Sequence, residues 1–136
     1  MSASTSQWAD LIRQAIAARE RAYAPYSNYK VGAALLTTAG HIYTGCNIEN
    51  AAYGPTTCAE RVAVFKAVSE GKREFTAIAV ATINGVAPCG VCRQVLREFA
   101  PRLTIIVTDL KGDYRVLSLT DLLPNSFGPE DLRRNE

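Results

Sequence analysis

Two short cysteine motifs, each at the start of a predicted helix, constrain the fold of this chain more than any other feature. The first is Cys58-Ala59-Glu60, and the second is Pro88-Cys89-Gly90-Val91-Cys92. Apolar residues at helical spacing predict one helix from Cys58 to Glu70 and another from Cys89 to Phe99. If the cysteines act together, the fold must bring the N-termini of these two helices to one point.

The rest of the hydrophobic pattern predicts an α/β fold. A first amphipathic helix is predicted from Trp8 to about Tyr23, because apolar residues recur there at i, i+3, i+4 and i+7. A hairpin followed by crossover units implies a mixed five-stranded sheet with helices on both faces, and hence three α/β/α layers. The 136 residues fit one domain, which we expect to span residues 1–136. The predicted strands are Tyr29–Leu36, His41–Asn47, Phe75–Thr82, Leu103–Thr108 and Tyr114–Leu117.

The composition excludes several classes of protein. Fifteen Lys and Arg against thirteen Asp and Glu give a net charge of +2, so we expect no nucleic-acid partner. No apolar run approaches the roughly 18 residues that a membrane helix needs, so we expect no membrane partner. The N-terminal sequence has no basic region followed by an apolar stretch, which predicts a cytoplasmic protein. In that reducing compartment, clustered cysteines more often bind metal or do chemistry than form disulfides.

Three of the four cysteines have the arrangement of a catalytic metal site. Cys58, Cys89 and Cys92 offer three thiolates from two helix N-termini, and three protein ligands with one open position are typical of catalytic zinc. A structural zinc site needs a fourth ligand, for which Cys46 and His41 are the spare candidates. Neither Cys46 nor His41 has the sequence spacing from the other cysteines that is typical of a zinc ligand. We interpret Cys46 as a small buried strand residue and His41 as an exposed turn residue.

Two residues next to the first cysteine complete the predicted chemistry. Glu60 is close enough to Cys58 to move protons at the metal without being a ligand. Three thiolates on one Zn²⁺ leave a net negative charge, and Arg61 is placed to donate hydrogen bonds that offset it.

The two motifs together resemble the signature of the zinc-dependent deaminases. Four further segments extend the likeness over nearly the whole chain, and they are similar to the short, homotetrameric cytidine deaminases. These segments are Tyr23–Ser27, Val31–Leu35, Gly45–Ala51 and Cys89–Gln94.

The resemblance implies a function and a cofactor. It implies one Zn²⁺ per subunit on Cys58, Cys89 and Cys92, with Glu60 as the proton shuttle. The implied reaction is hydrolysis of cytidine and 2′-deoxycytidine to uridine and 2′-deoxyuridine with release of ammonia, a step of pyrimidine salvage.

The resemblance also implies how a nucleoside is bound. Asn47 and Glu49 match residues that hold the ribose hydroxyls, and Tyr29 occupies a position that packs near the ribose and base. The backbone of Ala59 resembles the group that reads the base carbonyl. Two further positions match residues that reach a neighbouring subunit's site, which implies a homotetramer with shared active sites. These two are Tyr53 and Phe127.

Other functions remain open at this level. A non-catalytic zinc module predicts a fourth ligand and gives Glu60 no role, and a dithiol oxidoreductase uses only Cys89 and Cys92. A deaminase of nucleic acids is expected to show a basic face. A deaminase of a related aminopyrimidine nucleoside such as blasticidin S shares the zinc signature, although the Asn47–Asn50 segment favours cytidine. A plain surface charge is the alternative interpretation of Arg61, and Arg93 is interpreted in the same way.

Overall fold

The computed structural model describes residues 5–132, which form four α-helices, five β-strands and one short 3₁₀ helix. The helices are α1 (Thr5–Arg19), α2 (Ala59–Ser69), α3 (Gly90–Phe99) and α4 (Leu119–Leu122), and the 3₁₀ helix is Pro129–Asp131. The strands are β1 (Gly32–Thr37), β2 (Ile42–Cys46), β3 (Phe75–Ala81), β4 (Thr104–Thr108) and β5 (Tyr114–Ser118).

The five strands form one mixed sheet in the order β2-β1-β3-β4-β5. β1 pairs antiparallel with β2 and with β3, whereas β3 and β4 are parallel, and β5 is antiparallel to β4. The parallel pair is connected through α3, as parallel strands require a crossover. The predicted mixed five-stranded sheet is confirmed.

The hydrophobic core lies on both faces of the sheet. On one face, α1 packs Leu11 and Ala15 against residues of β1 and β3, among them Ala79. On the other face, Val64 of α2 and Leu96 of α3 belong to the second cluster of buried residues. Because side chains alternate along a strand, the central strands contribute to both clusters. The helices therefore lie on both sides of the sheet, as predicted.

Two glycines let helices approach the backbone of the sheet. A Cβ atom on Gly45 of β2 would lie 2.4 Å from the Ala59 carbonyl oxygen and 2.7 Å from the Ala63 nitrogen in α2. A Cβ atom on Gly32 of β1 would lie 2.0 Å from the Ala15 carbonyl oxygen in α1. Only glycine allows backbones to approach this closely. The contact at Gly45 places the first turn of α2, and with it the first cysteine motif, directly against the sheet.

The first helix is shorter than predicted and ends at Arg19 instead of about Tyr23. The chain turns after α1, and Tyr23 bonds to the segment that follows β2. Its N–H donates to the Asn47 carbonyl over 3.0 Å, and its carbonyl accepts from the Glu49 N–H over 2.8 Å. These non-local bonds use the backbone groups that a longer helix would have needed.

The first strand begins at Gly32, three residues later than predicted. Before it, the side chain of Asn47 binds the backbone in place of a neighbouring strand. Asn47 Oδ1 accepts from the Val31 N–H over 2.9 Å, and Nδ2 donates to the Tyr29 carbonyl over 2.8 Å. Side-chain hydrogen bonds of this kind compete with a strand ladder.

The second helix ends as predicted. Gly71 follows α2 with a φ of +87°, the left-handed conformation that glycine adopts readily at a helix end. Within residues 5–132, no helix combines the length and the apolar character needed to cross a bilayer.

Candidate active site

The two cysteine motifs meet where α2 and α3 begin. Cys58 is the N-cap residue of α2, and Cys89 is the N-cap residue of α3. Neither side chain makes a capping hydrogen bond, so both sulfur atoms remain available as ligands. Cys92 lies in the first turn of α3 and is fully buried. The positive ends of two helix dipoles therefore lie beside the sulfur atoms and favour negative charge on them.

The three sulfur atoms have the spacing of a zinc site. The Sγ atoms of Cys58 and Cys89 are 3.8 Å apart, and those of Cys89 and Cys92 are 3.5 Å apart. All three lie within 4.8 Å of one another. A tetrahedral Zn²⁺ with Zn–S bonds of about 2.3 Å separates its sulfur ligands by about 3.8 Å. The cluster fits zinc held by three thiolates, which is the ligand count of a catalytic site.

Hydrogen bonds within the cluster distribute its protons unevenly. The hydrogen bond from Cys92, followed by that from Arg61, lowers the pKa of the Cys58 thiol to about 5. The same bond to Cys58, followed by burial, raises the pKa of Cys92. Arg61 Nη2 donates to Cys58 Sγ over 3.4 Å, which raises the pKa of Arg61. The guanidinium thus lies where the sequence predicted a counter-charge to the thiolates.

Glu60 is buried beside this cluster. Glu60 is 4% exposed, and burial raises the pKa of its carboxyl group to about 7. It lines the same cavity as Cys58 and Cys89. A carboxyl group that titrates near neutrality is able both to accept and to donate a proton in that cavity.

A cavity of about 370 Å³ adjoins the sulfur cluster. Its size and its mixed lining, with apolar walls and a few polar groups, suit a small molecule. The apolar part of the wall comes from Val31, Val80 and the segment 86–88. The cavity brings together six residues singled out from the sequence, namely Tyr29, Asn47, Glu49, Cys58, Glu60 and Cys89.

The two polar residues after β2 are already bound to the surrounding loop. Asn47 is buried, and its amide holds the segment before β1 as described above. Glu49 Oε1 accepts from the N–H groups of Tyr26 and Ser27 over 2.9 and 3.1 Å, and Oε2 accepts from the Ser27 hydroxyl. The Ser27 hydroxyl, the largest influence, lowers the pKa of Glu49. Glu49 is therefore a carboxylate at neutral pH and faces the cavity with its geometry fixed.

The remaining predicted residues lie outside the lining of this cavity. Ala59 is fully buried in the core, so only its backbone, at the start of α2, is near the cluster. Tyr53 is 74% exposed and borders a neighbouring hollow that shares Ser27 and Glu49 with the cavity. Phe127 is 56% exposed, and its carbonyl accepts from Gln94 Nε2 over 2.9 Å. Both aromatic rings face outward in the single chain.

The two spare ligand candidates do not join the cluster. His41 is exposed, as expected, and Cys46 is half-buried at the end of β2, less enclosed than expected. Within residues 5–132, Cys58, Cys89 and Cys92 form the one group of three potential metal-ligating side chains.

Arg93 has a structural role that the sequence interpretation missed. Its Nε donates to the Pro88 carbonyl over 2.8 Å, and its Nη1 donates to the Leu122 carbonyl over 3.0 Å. Arg93 is half-buried, which corrects its interpretation as a surface charge. It fixes the residue before Cys89 and ties α3 to the end of α4. The sequence signal for this structural role was the position of Arg93 one helical turn after Cys89.

Comparisons with known proteins agree with this geometry. The family model described as the cytidine and deoxycytidylate deaminase zinc-binding region matches residues 5–108. The cytidine deaminase of Sporosarcina psychrophila is 54% identical over 125 residues, which cover 90% of this chain and 92% of that protein. The cytidine deaminase of Mycobacterium tuberculosis is 42% identical over 129 residues, which cover 93% of this chain and 94% of that protein. The 1.6 Å crystal structure of cytidine deaminase from Burkholderia pseudomallei matches with a TM-score of 0.84 and 54% identity, covering 87% of this chain and 97% of that one.

Proposed function

Since this chain belongs to the cytidine and deoxycytidylate deaminase family, we propose that it hydrolyses cytidine and 2′-deoxycytidine to uridine and 2′-deoxyuridine, releasing ammonia. The family binds zinc, and the three clustered cysteines fit that metal. Family membership confirms the resemblance inferred from the two motifs.

One observation carries the proposal. Cys58, Cys89 and the buried carboxyl group of Glu60 line one cavity with a carboxylate and an amide, and the fully buried Cys92 completes a group of three sulfur atoms at zinc-ligand spacing. A closed structural zinc site has four protein ligands and no need of a cavity or a buried acid. A dithiol oxidoreductase has no use for Cys58 or Glu60. The combination instead supports metal-assisted hydrolysis of a small molecule.

Glu60 moves the protons in the proposed mechanism. Zinc held by Cys58, Cys89 and Cys92 supplies Lewis-acid activation of water near neutral pH. Glu60 accepts the first proton of the attacking water and delivers it to N3 of the pyrimidine, which makes C4 more electrophilic. After the C4–O bond forms, Glu60 transfers the second proton to the exocyclic amine. The C4–N bond then breaks, and ammonia leaves.

The other cavity residues bind and orient the nucleoside in this proposal. Glu49 accepts hydrogen bonds from the ribose hydroxyls, and Asn47 contributes its remaining amide capacity. Tyr29 packs near the ribose and base, and the backbone of Ala59 reads the base carbonyl. The Cys89 carbonyl already accepts from the Arg93 N–H over 3.0 Å, and its second lone pair is available for the departing amine.

The proposal extends to the assembly and its location. We propose that residues 1–136 form one catalytic domain, that four copies assemble, and that Tyr53 and Phe127 of each copy reach a neighbour's cavity. The high exposure of both rings supports this assignment, because large exposed aromatic side chains are typical of interfaces. We also propose that the protein works in the cytoplasm.

A panel of four substrates tests the function. Zinc-replete protein is incubated with cytidine, 2′-deoxycytidine, cytosine and blasticidin S, and ammonia and the deaminated product are measured. We expect turnover of both nucleosides and little of cytosine, which lacks the ribose that Asn47 and Glu49 bind. Preferential turnover of blasticidin S would assign the site to a related aminopyrimidine nucleoside. Absence of turnover with both cytidine and 2′-deoxycytidine would contradict the proposal.

A further inference from the structure

The loop between β3 and the second cysteine motif forms one wall of the cavity. Thr82, Val86, Ala87 and Pro88 belong to this loop, residues 82–88, and line the cavity. The loop leads directly into Cys89. Its position therefore determines both the shape of the cavity and the approach to one of the sulfur ligands.

The side chain of Tyr29, in the segment before β1, also lines the cavity and bonds to this loop. Its hydroxyl donates a hydrogen bond of 2.5 Å to Asn84 Oδ1. Asn84 Oδ1 also accepts from Thr82 Oγ1 over 3.4 Å, and Thr82 Oγ1 accepts from the Val86 N–H over 3.2 Å. The Tyr29 hydroxyl is thus joined to a chain of hydrogen bonds that runs through the loop.

The backbone of Tyr29 is fixed to the polar end of the cavity. Its N–H donates to Ser27 Oγ over 3.0 Å, and its carbonyl accepts from Asn47 Nδ2 over 2.8 Å. The Ser27 hydroxyl in turn donates to Glu49. Tyr29 therefore connects the residues proposed to bind ribose with loop 82–88.

The two ends of the loop are held by other hydrogen bonds: the Thr82 N–H donates to the Thr108 carbonyl over 3.1 Å, and the Pro88 carbonyl accepts from Arg93 Nε over 2.8 Å. Between these ends the attachments are weaker. Ile83 is 64% exposed, and the Gly85 carbonyl accepts from Arg115 Nη2 over 3.4 Å, at the long end of the hydrogen-bond range. The bond between Tyr29 and Asn84 is shorter than the bond between Arg115 and Gly85. Loss of the Tyr29 bond leaves the middle of the loop, residues 83–87, free to sample positions that do not contact a nucleoside.

We propose that Tyr29 is a positioning residue, whose hydroxyl holds loop 82–88 against the cavity through Asn84 and so sets the affinity for the nucleoside. This inference rests on the proposed deaminase function. The bond preorganises the cavity wall, so its loss weakens substrate binding more than it slows the chemical step. Tyr29 acts here through the loop and not on the reacting atoms.

Steady-state kinetics of Tyr29→Phe, Asn84→Ala and the double variant test the proposal. Each single variant is expected to raise KM for cytidine about three- to tenfold, the worth of one hydrogen bond, with kcat within about twofold of the wild type. The double variant is expected to be no worse than either single variant, because both remove the same bond. Asn84→Asp keeps a side-chain oxygen that accepts from the Tyr29 hydroxyl, so its KM should be close to that of the wild type.

Tyr114→Phe is the matched control, because it removes one phenol hydroxyl from β5, outside the cavity lining. The proposal is overturned if Tyr29→Phe leaves KM unchanged, or if it lowers kcat without raising KM. It is also overturned if the increase in KM of the double variant equals the product of the two single-variant increases.

Hydrogen–deuterium exchange of the loop separates this proposal from the proposed function. We expect faster amide exchange in residues 82–88 of Tyr29→Phe than in the wild type, with exchange in β1 and β3 unchanged. This readout does not depend on turnover. An inactive wild type contradicts the deaminase function, whereas unchanged exchange in the loop contradicts the role of Tyr29.

Discussion

Arg61 Nη2 lies 3.4 Å from Cys58 Sγ, so the residue that follows the proposed proton shuttle binds a proposed zinc ligand. The contact forms because Cys58 occupies the N-cap position of α2 and Arg61 lies within the first turn of that helix. Three thiolates and one Zn²⁺ carry a net charge of −1. The Arg61 guanidinium offsets this negative charge directly at the Cys58 sulfur.

Loss of this contact should weaken zinc binding. We expect Arg61→Gln to lower the affinity for zinc by roughly ten- to hundredfold, because the Cys58 thiolate loses a hydrogen bond and a positive neighbour. Competition with a chromogenic chelator measures the affinity. Arg102→Gln, an exposed arginine before β4, is the control and should bind zinc as the wild type does. Equal affinities in the two variants would contradict the role of Arg61.

Replacement of the buried acid should separate metal binding from turnover. We expect Glu60→Gln to retain zinc and to lose at least about 10²- to 10⁴-fold in kcat for cytidine, because the amide is unable to carry a proton. Elemental analysis and uridine formation give the two readouts. Glu98→Gln, at an exposed position of α3, serves as the control. A near-normal rate in Glu60→Gln would remove the shuttle assignment.

Zinc binding should release protons from the cysteine cluster. In the metal-free protein the pKa of Cys58 is about 5, whereas the pKa of Cys92 is raised, so at pH 7 Cys58 is ionised and Cys92 retains its proton. Zinc must displace that proton, and its affinity therefore increases as the pH rises. Titration calorimetry in buffers of different ionisation enthalpy should show release of at least about one proton per zinc. Cys46→Ser should leave this number unchanged, and a binding enthalpy independent of buffer would disprove the expectation.

The close approach of α2 to β2 should make Gly45 intolerant of a side chain. A Cβ atom there would lie 2.4 Å from the Ala59 carbonyl oxygen, so the first turn of α2 must move. We expect Gly45→Ala to lower the free energy of unfolding by about 1–3 kcal/mol and to reduce zinc content. Thermal unfolding and elemental analysis measure both. Gly54→Ala, whose Cβ atom would come no closer than 4.0 Å to another group, should differ little from the wild type.

Shared active sites should be detectable by mixing two defective proteins. Under the proposed assembly, Phe127→Ala removes an aromatic ring from the active site of a neighbouring subunit. Glu60→Gln instead inactivates the active site of the subunit that carries it. Co-refolding the two variants creates some sites that hold both native residues, so activity should exceed that of either variant alone. The same proteins combined without subunit exchange provide the control. If co-refolding gives only the average of the two activities, each site is built from one chain.

The cysteine cluster could be predicted from the sequence because the signals that mark each motif are local. Cys89 and Cys92 are one helical turn apart, and each motif begins a helix whose spacing is readable from the apolar residues. The same local periodicity, alternating between helices and strands, predicted the mixed sheet and its layers. The residues that bind the nucleoside in the proposed function remain predictions.

Only the tertiary structure decided what the polar side chains around the cavity contact. Asn47 ends up bound to the backbone at Tyr29 and Val31, which shortens β1, and Arg93 joins two carbonyls instead of facing solvent. Tyr29 finds its partner 55 positions along the chain, at Asn84. Periodicity reports which face of an element is buried. It carries no information about which distant group a single hydroxyl or amide meets, because that depends on how helices and strands pack.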